Sequence, residues 1–187
     1  RFFARRARRL APALLLVLAG TVAVAAALGG ASEFPTLRGD ALATLFYVAN
    51  WRYVASAQSY FASFNPSPLR HTWSLAIEEQ FYLVWPFAVA GLLAVLGRRR
   101  LPVLLAAGVV ASAAWMHHLA ASGADLSRAY YGTDTRAQEL LVGGLLALFL
   151  SAARDSDLVR RAASWIGTAW LAAFTVLWLT LPADRPG

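Results

Sequence analysis

Long apolar runs separated by short arginine-rich stretches set the pattern of this 187-residue chain. Five runs approach or exceed the roughly 20 residues that a membrane-spanning helix needs. They cover residues 11–30, 73–96, 101–121, 137–153 and 165–181. None of them alternates between apolar and polar residues as a barrel strand would. The pattern therefore predicts an all-α fold, a polytopic membrane helix bundle with about five transmembrane helices.

Residues 31–71 contain no run of spanning length, and the stretch LATLFYVAN is too short to cross. The basic stretches RFFARRARR, GRRR and RDSDLVRR all face the cytoplasm only if 31–71 makes no net crossing. We therefore predict an extracytoplasmic, re-entrant or interfacial segment there, within a single transmembrane domain covering 1–187. The first basic stretch is expected to be a loop that leads into the first span. The alternative, in which 39–54 crosses, places GRRR outside.

Composition agrees with this pattern. Hydrophobic residues make up 59% of the chain and charged residues 14%, against about 25% charged in ordinary soluble domains. The net charge of +7 comes from arginines between the apolar runs, where they meet lipid headgroups. The expected partner is thus the lipid bilayer, and no nucleic acid is expected. The absence of cysteine excludes disulfides and thiolate sites, and we expect neither a metal site nor a tightly bound cofactor.

The run HTWSLAIEEQFYLVWP carries polar side chains into a predicted span. A charged group at the bilayer centre costs roughly 2.5–3.5 kcal/mol, so such residues are functional by default. On a helix beginning near Thr72, His71 and Glu78 share a face and Tyr82 lies one turn further on, while Glu79 points about 100° away. A structural ion pair within the membrane is the alternative interpretation.

Two pairs of charged residues stand three apart elsewhere. Arg6 and Arg9 lie at the entrance to the first span, and their forked guanidinium groups suit the binding of phosphate groups. Anchoring of the topology is the alternative. Arg136 and Glu139 precede a run of small residues that lets another helix approach closely. Pairing of Arg136 with Glu78, binding of an acceptor hydroxyl, and a purely structural salt bridge all remain open.

Four motifs, in order and covering residues 2–148, resemble those of one family. HTWSLAIEEQFYLVWP resembles the signature of the acyltransferase 3 family, integral-membrane enzymes that move acyl groups, often acetyl, onto sugars and other hydroxylated acceptors. FFARRARRLAP resembles its Arg-x-x-Arg loop, and FYVANWRY its Asn-containing segment. YYGTDTRAQELLVGGLLAL resembles its Thr-x-Arg…Glu-Leu-Leu…Gly helix.

The resemblance implies a multi-pass O-acyltransferase of the cell membrane. It would transfer an acyl group, acetyl above all, from acyl-CoA to a hydroxyl of a carbohydrate or other cell-envelope or secondary-metabolite acceptor. The family's proposed catalytic histidine lies in its first helix, before the part matched here. The chain is therefore expected to be incomplete, to lack the first helices and to be inactive alone. A transporter or flippase component with proton-handling carboxylates is the rival hypothesis.

Together, the residues and the resemblance predict three groups of site residues. In the family mechanism the missing histidine is the base, Glu78 orients or charge-balances the site, and Arg136 or Asn50 binds the acceptor or the developing charge. The predicted groups are Glu78, His71 and Arg136 as catalytic; Arg6 and Arg9 as donor-binding; and Asn50, Trp73, Ser74, Gln80, Tyr82 and Glu139 as substrate-binding.

Overall fold

The structure is a computed structural model that describes residues 2–28, 34–56, 67–123, 126–153 and 156–180. All regular structure in these ranges is helical. The helices are α1 (Phe2–Leu28), α2 (Phe34–Leu45), α3 (Ala49–Ala55), α4 (Thr72–Leu96), α5 (Leu101–Ala121), α6 (Leu126–Tyr131), α7 (Thr133–Ala152) and α8 (Asp157–Thr180). The all-α prediction is confirmed, and α4 begins at the predicted residue.

Within the described residues, three helices are long and apolar enough to span a membrane, namely α1, α4 and α5. Buried residues are few along their apolar stretches, and α4 buries none there, so their side chains are free to face lipid. The predicted span 137–153 falls in α7, which carries charged residues in its first two turns. The predicted span 165–181 falls in α8, whose described apolar part is the shorter run Trp165–Thr180. Residues 29, 30 and 181 of the predicted spans lie outside the described residues.

The basic stretch at the start of the chain is helical, so the prediction of a loop there is wrong. Helix α1 begins at Phe2 and includes Arg5, Arg6 and Arg9. Alanine and arginine both have high helix propensity, which favours continuation of the helix through this stretch. Pro12 consequently lies inside α1 and not in its first turn.

The segment predicted not to cross forms two short helices, α2 and α3. Twelve residues of α-helix reach only about 18 Å, well short of the roughly 30 Å hydrocarbon core. Residues 31–33 and 57–66 of this segment lie outside the described residues. Helices α2 and α3 pack against each other, and both contact α4.

The buried core lies around this short-helix segment and not between long helices. One cluster joins Ala43, Ala49, Tyr53, Ala76 and Tyr131. A second cluster joins leucines of α1 and α2 to Leu69, just before α4. Because the largest fully buried side chains come from this region, it is the part of the molecule that can hold polar groups in fixed positions.

The chain divides into two compact units, Arg1–Gly143 and Gly144–Gly187. The first unit contains both core clusters and every predicted site residue. The second unit contains α8, whose described side chains from Trp165 to Thr180 are exposed. The single domain over 1–187 stays a prediction.

Candidate functional site

Helices α1 and α4 lie side by side and run in opposite directions. Phe3 stacks on Phe87 with ring centroids 6.3 Å apart, while Leu10 lines the same cavity as Leu75. Rising residue numbers in α1 thus match falling numbers in α4. If both helices span the membrane, their opposite directions require that the chain between them crosses the membrane an even number of times. The prediction that 31–71 makes no net crossing meets this requirement.

An ion pair joins the two helices midway along this contact. The Nε of Arg6 donates to Oε1 of Glu79 at 2.7 Å, and the guanidinium carbon lies 3.5 Å from the centre of the Tyr82 ring. Both charged side chains are largely buried, 24% and 15% exposed. The pair neutralises each charge where water is scarce, and the ring face adds a cation–π contact.

Two cavities flank this ion pair. The first, of about 490 Å³, is lined by polar and apolar surface in similar amounts and includes Arg5, Arg6, Arg9 and Glu78. The second, of about 410 Å³, is mainly apolar. Arg6, Leu10 and Tyr82 belong to the walls of both cavities. The charged cavity and the apolar cavity therefore share one wall.

A closed ring of hydrogen bonds lies behind the apolar cavity. Asn50 Nδ2 donates to Thr133 Oγ1 at 2.9 Å, and Thr133 Oγ1 donates to Gln80 Oε1 at 2.7 Å. Gln80 Nε2 completes the ring by donating to Asn50 Oδ1 at 2.9 Å. The remaining amide hydrogens are also used, since Asn50 donates to the carbonyl oxygen of Tyr131 and Gln80 to that of Tyr47.

This ring connects α3, α4 and α7. Asn50 is completely buried, and every hydrogen of both amides has an acceptor, which avoids the cost of about 1–3 kcal/mol for an unsatisfied buried group. Asn50 and Gln80, which the sequence predicts to bind substrate, thus have their donors engaged within the protein. Their position favours a role in holding the cavity wall.

An aromatic group surrounds Arg136. Its Nε donates to the carbonyl oxygen of Tyr130 at 3.1 Å, and its guanidinium lies over the rings of Tyr130 and Trp73 at 4.6 and 5.6 Å. Nη1 of Arg136 pairs with Glu139. The suggested pairing of Arg136 with Glu78 is therefore wrong, because a partner one turn away on the same helix takes its place.

The remaining predicted residues lie at separate places. Glu78 is exposed and faces the charged cavity with Arg5 and Arg9. His71 is exposed at the residue before α4, and the hydroxyl of Ser74 donates to its carbonyl oxygen at 3.4 Å. His71 and Glu78 share a helix face, but only Glu78 lines the cavity. The structure brings Arg6, Arg9, Glu78 and Tyr82 together.

Sequence reasoning missed two residues of this region. Glu79, and not Glu78, pairs with Arg6. The sequence shows that the two glutamates point about 100° apart on the helix, but it does not show which of them faces α1. Thr133 closes the hydrogen-bond ring. Its place within the motif YYGTDTRAQELL was the available signal.

Two further ion pairs stabilise the same unit. Arg52 Nε donates at 2.6 Å to Asp40, which is buried. Arg128 binds both carboxylate oxygens of Asp134 at 3.0 and 2.8 Å. Trp115 Nε1 also donates to Asp134, at 2.8 Å. These pairs account for charges that the sequence pattern left without a partner.

The all-helical fold of the described residues, its apolar helices of spanning length and the charged cavity between α1 and α4 define a helical type of membrane protein. Comparison of the sequence with known families makes the class specific. The chain belongs to the Acyltransferase domain family, whose profile it matches over residues 1–186. The resemblance found in the four motifs is thereby confirmed.

Several curated relatives carry the same domain. The chain is 49% identical over 149 residues to the putative peptidoglycan O-acetyltransferase YrhL of Bacillus subtilis, covering 79% of this chain and 23% of that protein. It is 46% identical over 165 residues to the peptidoglycan O-acetyltransferase OatA of Listeria monocytogenes, covering 86% and 26%. The chain spans about a quarter of the length of these relatives. No solved structure matches it.

Proposed function

We propose that the natural protein containing this chain is a multi-pass enzyme of the cell membrane. It transfers an acetyl group from acetyl-coenzyme A to a hydroxyl of a cell-envelope carbohydrate. Family membership supports acyl transfer, and two relatives named for peptidoglycan O-acetylation support peptidoglycan as the acceptor. The observation that carries the donor assignment is the charged cavity beside the apolar one.

The two cavities match the two halves of an acyl-coenzyme A. Arg5 and Arg9 supply cationic forks for the phosphates in the charged cavity. Arg6 is already paired with Glu79, so it contributes to the dividing wall. The thioester arm, which is long and carries little charge, occupies the apolar cavity. The phosphates and the thioester arm of the donor thus each have a matching surface in adjacent cavities.

The transfer step requires a base and a group that stabilises negative charge. The acceptor hydroxyl oxygen bonds to the thioester carbonyl carbon, its proton passes to the base, and the carbon–sulfur bond breaks to release coenzyme A. Glu78 balances the cationic cavity during donor binding. Trp73, Arg136 and Glu139 offer an aromatic face and a charged pair for the sugar, the combination that suits a hydroxylated ring.

Labelled acetyl-coenzyme A tests this proposal. The natural protein, reconstituted in vesicles with peptidoglycan, is expected to form base-labile labelled ester on the glycan. Uptake of label into the vesicle without ester would support the rival transporter hypothesis and contradict the proposal. None of the relatives described above is named as a transporter.

Arg9→Gln tests the donor cavity itself. Loss of one charged contact to phosphate is expected to raise KM for acetyl-coenzyme A about five- to tenfold while kcat changes little. Arg99→Gln is the matched control, because Arg99 is an exposed arginine of the turn before α5 and lines neither cavity. Equal KM values for the two variants would contradict the placement of the donor phosphates in the charged cavity.

A further inference from the structure

Tyr47 has an unusual backbone. It lies in the turn between α2 and α3 with φ of 56°, and among the described residues it is the sole non-glycine residue with positive φ. A bulky side chain in this left-handed region is a conformational outlier that costs on the order of 1–3 kcal/mol. Such strain persists only where the surrounding structure enforces it.

Several hydrogen bonds enforce the conformation. The carbonyl oxygen of Tyr47 accepts from Gln80 Nε2 at 2.7 Å, and its amide donates to the carbonyl oxygen of Thr44 at 3.1 Å. Gln80 is itself held by the ring with Asn50 and Thr133. The same ring that fixes Gln80 therefore fixes the strained backbone of Tyr47.

The held residue lies in the wall of the apolar cavity, together with Glu79, Arg6 and Tyr82. Its ring is half-buried and packs against both core clusters. Burial raises the pKa of Tyr47, and the charge of Glu79 raises it further. The phenol is consequently a neutral hydrogen-bond donor at any physiological pH, placed beside the ion pair that separates the two cavities.

We propose that Tyr47 is a catalytic residue whose phenol donates a hydrogen bond to the carbonyl oxygen of the acyl group in the apolar cavity, and that Gln80 is the positioning residue that holds it there. The proposal rests on the proposed transfer from an acyl thioester. As the acceptor oxygen bonds to the carbonyl carbon, the carbonyl electron pair moves onto oxygen, so the phenol bond strengthens in the transition state. The phenol keeps its proton throughout.

Tyr47→Phe tests the phenol without altering ring packing or backbone. We expect kcat to fall about tenfold to a hundredfold with little change in KM, because the lost bond is strongest in the transition state. Tyr53→Phe is the matched control; Tyr53 is a fully buried phenol of the neighbouring core that lines neither cavity, and it should retain wild-type kcat. An active wild-type protein with an equally active Tyr47→Phe variant overturns the assignment of Tyr47 alone, whereas a wild-type protein that forms no labelled ester overturns the proposed function as well.

Gln80→Glu tests the positioning role. Glutamate keeps the oxygen that accepts from Thr133 but loses both N–H donors, including the one to Tyr47. We expect kcat to fall with retained KM. Because Gln80 acts through Tyr47, the double variant Gln80→Glu/Tyr47→Phe should have the same kcat as the less active of the two single variants. Multiplied losses in the double variant would show that Gln80 acts independently and would overturn this part of the proposal.

Discussion

Replacement of Glu79 by glutamine removes the charge that faces Arg6 while it keeps side-chain volume and an oxygen acceptor. The guanidinium of Arg6 is then left without its counter-ion in a region where it is 24% exposed. Breaking an exposed ion pair costs about 0–1 kcal/mol, whereas breaking a fully buried one costs about 3–5 kcal/mol. The low exposure of both partners places the expected loss between these limits, at about 2 kcal/mol.

This loss is measurable as a change in melting temperature. For a chain of this size, 1 kcal/mol corresponds to about 2–4 °C, so Glu79→Gln should lower Tm by about 4–8 °C. The assay is tryptophan fluorescence of the purified protein during heating in detergent micelles. The neighbouring Glu78→Gln is the control, since Glu78 is exposed and its loss should shift Tm by no more than about 2 °C.

A double-variant cycle separates the pair from other effects of the substitution. Arg6→Met removes the cation and keeps much of the apolar stem. If the ion pair is the source of the stability, the double variant Arg6→Met/Glu79→Gln will be more stable than the sum of the single losses predicts, by about 1–2 kcal/mol. Additive losses, or equal shifts for Glu78→Gln and Glu79→Gln, would refute the reasoning.

Two more predictions concern other ion pairs of the same unit. Gly39→Ala should lower Tm by several degrees, because its Cβ would overlap the guanidinium of Arg52 and displace it from the buried carboxylate of Asp40. Gly91→Ala is the control: nothing lies close to its Cβ, so Tm should stay unchanged or rise slightly. A lower Tm for Gly91→Ala than for Gly39→Ala would contradict this explanation. The hydrogen bonds from Arg128 lower the pKa of Asp134, so their stabilisation is complete above the carboxyl's ordinary pKa and is lost as pH falls through the lowered value. Melting curves recorded towards acid pH should therefore show a smaller loss of Tm for Asp134→Asn than for the wild type, and parallel curves would contradict it.

Apolar run length predicted most of the helices, because lipid admits little other backbone structure. The start of α4 at Thr72 was predictable from the change in pattern at HTWSL. The helical start of α1 was not, because arginines between apolar runs mark both loops and helix ends. The high helix propensity of alanine and arginine favours a helix there, whereas the clustered charge is equally typical of a loop.

The composition of the candidate site was predictable in part, and its pairings were not. Motif matching selected Arg6, Arg9 and Glu78, which the structure brings to one cavity. It did not show that Glu79 takes the place opposite Arg6. Partners across two helices depend on how the helices are rotated and offset against each other, which is set by packing of the whole core. The left-handed backbone of Tyr47 likewise has no signal in sequence, since glycine or asparagine is expected at such positions.

The hydrogen-bond ring also constrains how the protein is made. Thr133 follows Gln80 by 53 residues and Asn50 by 83, so the two amides emerge from the ribosome long before their third partner. During membrane insertion they must stay hydrated or find temporary acceptors until the first turn of α7 arrives. Docking of that turn is therefore a late step of assembly, and it completes the cavity wall only after all three elements have been synthesised.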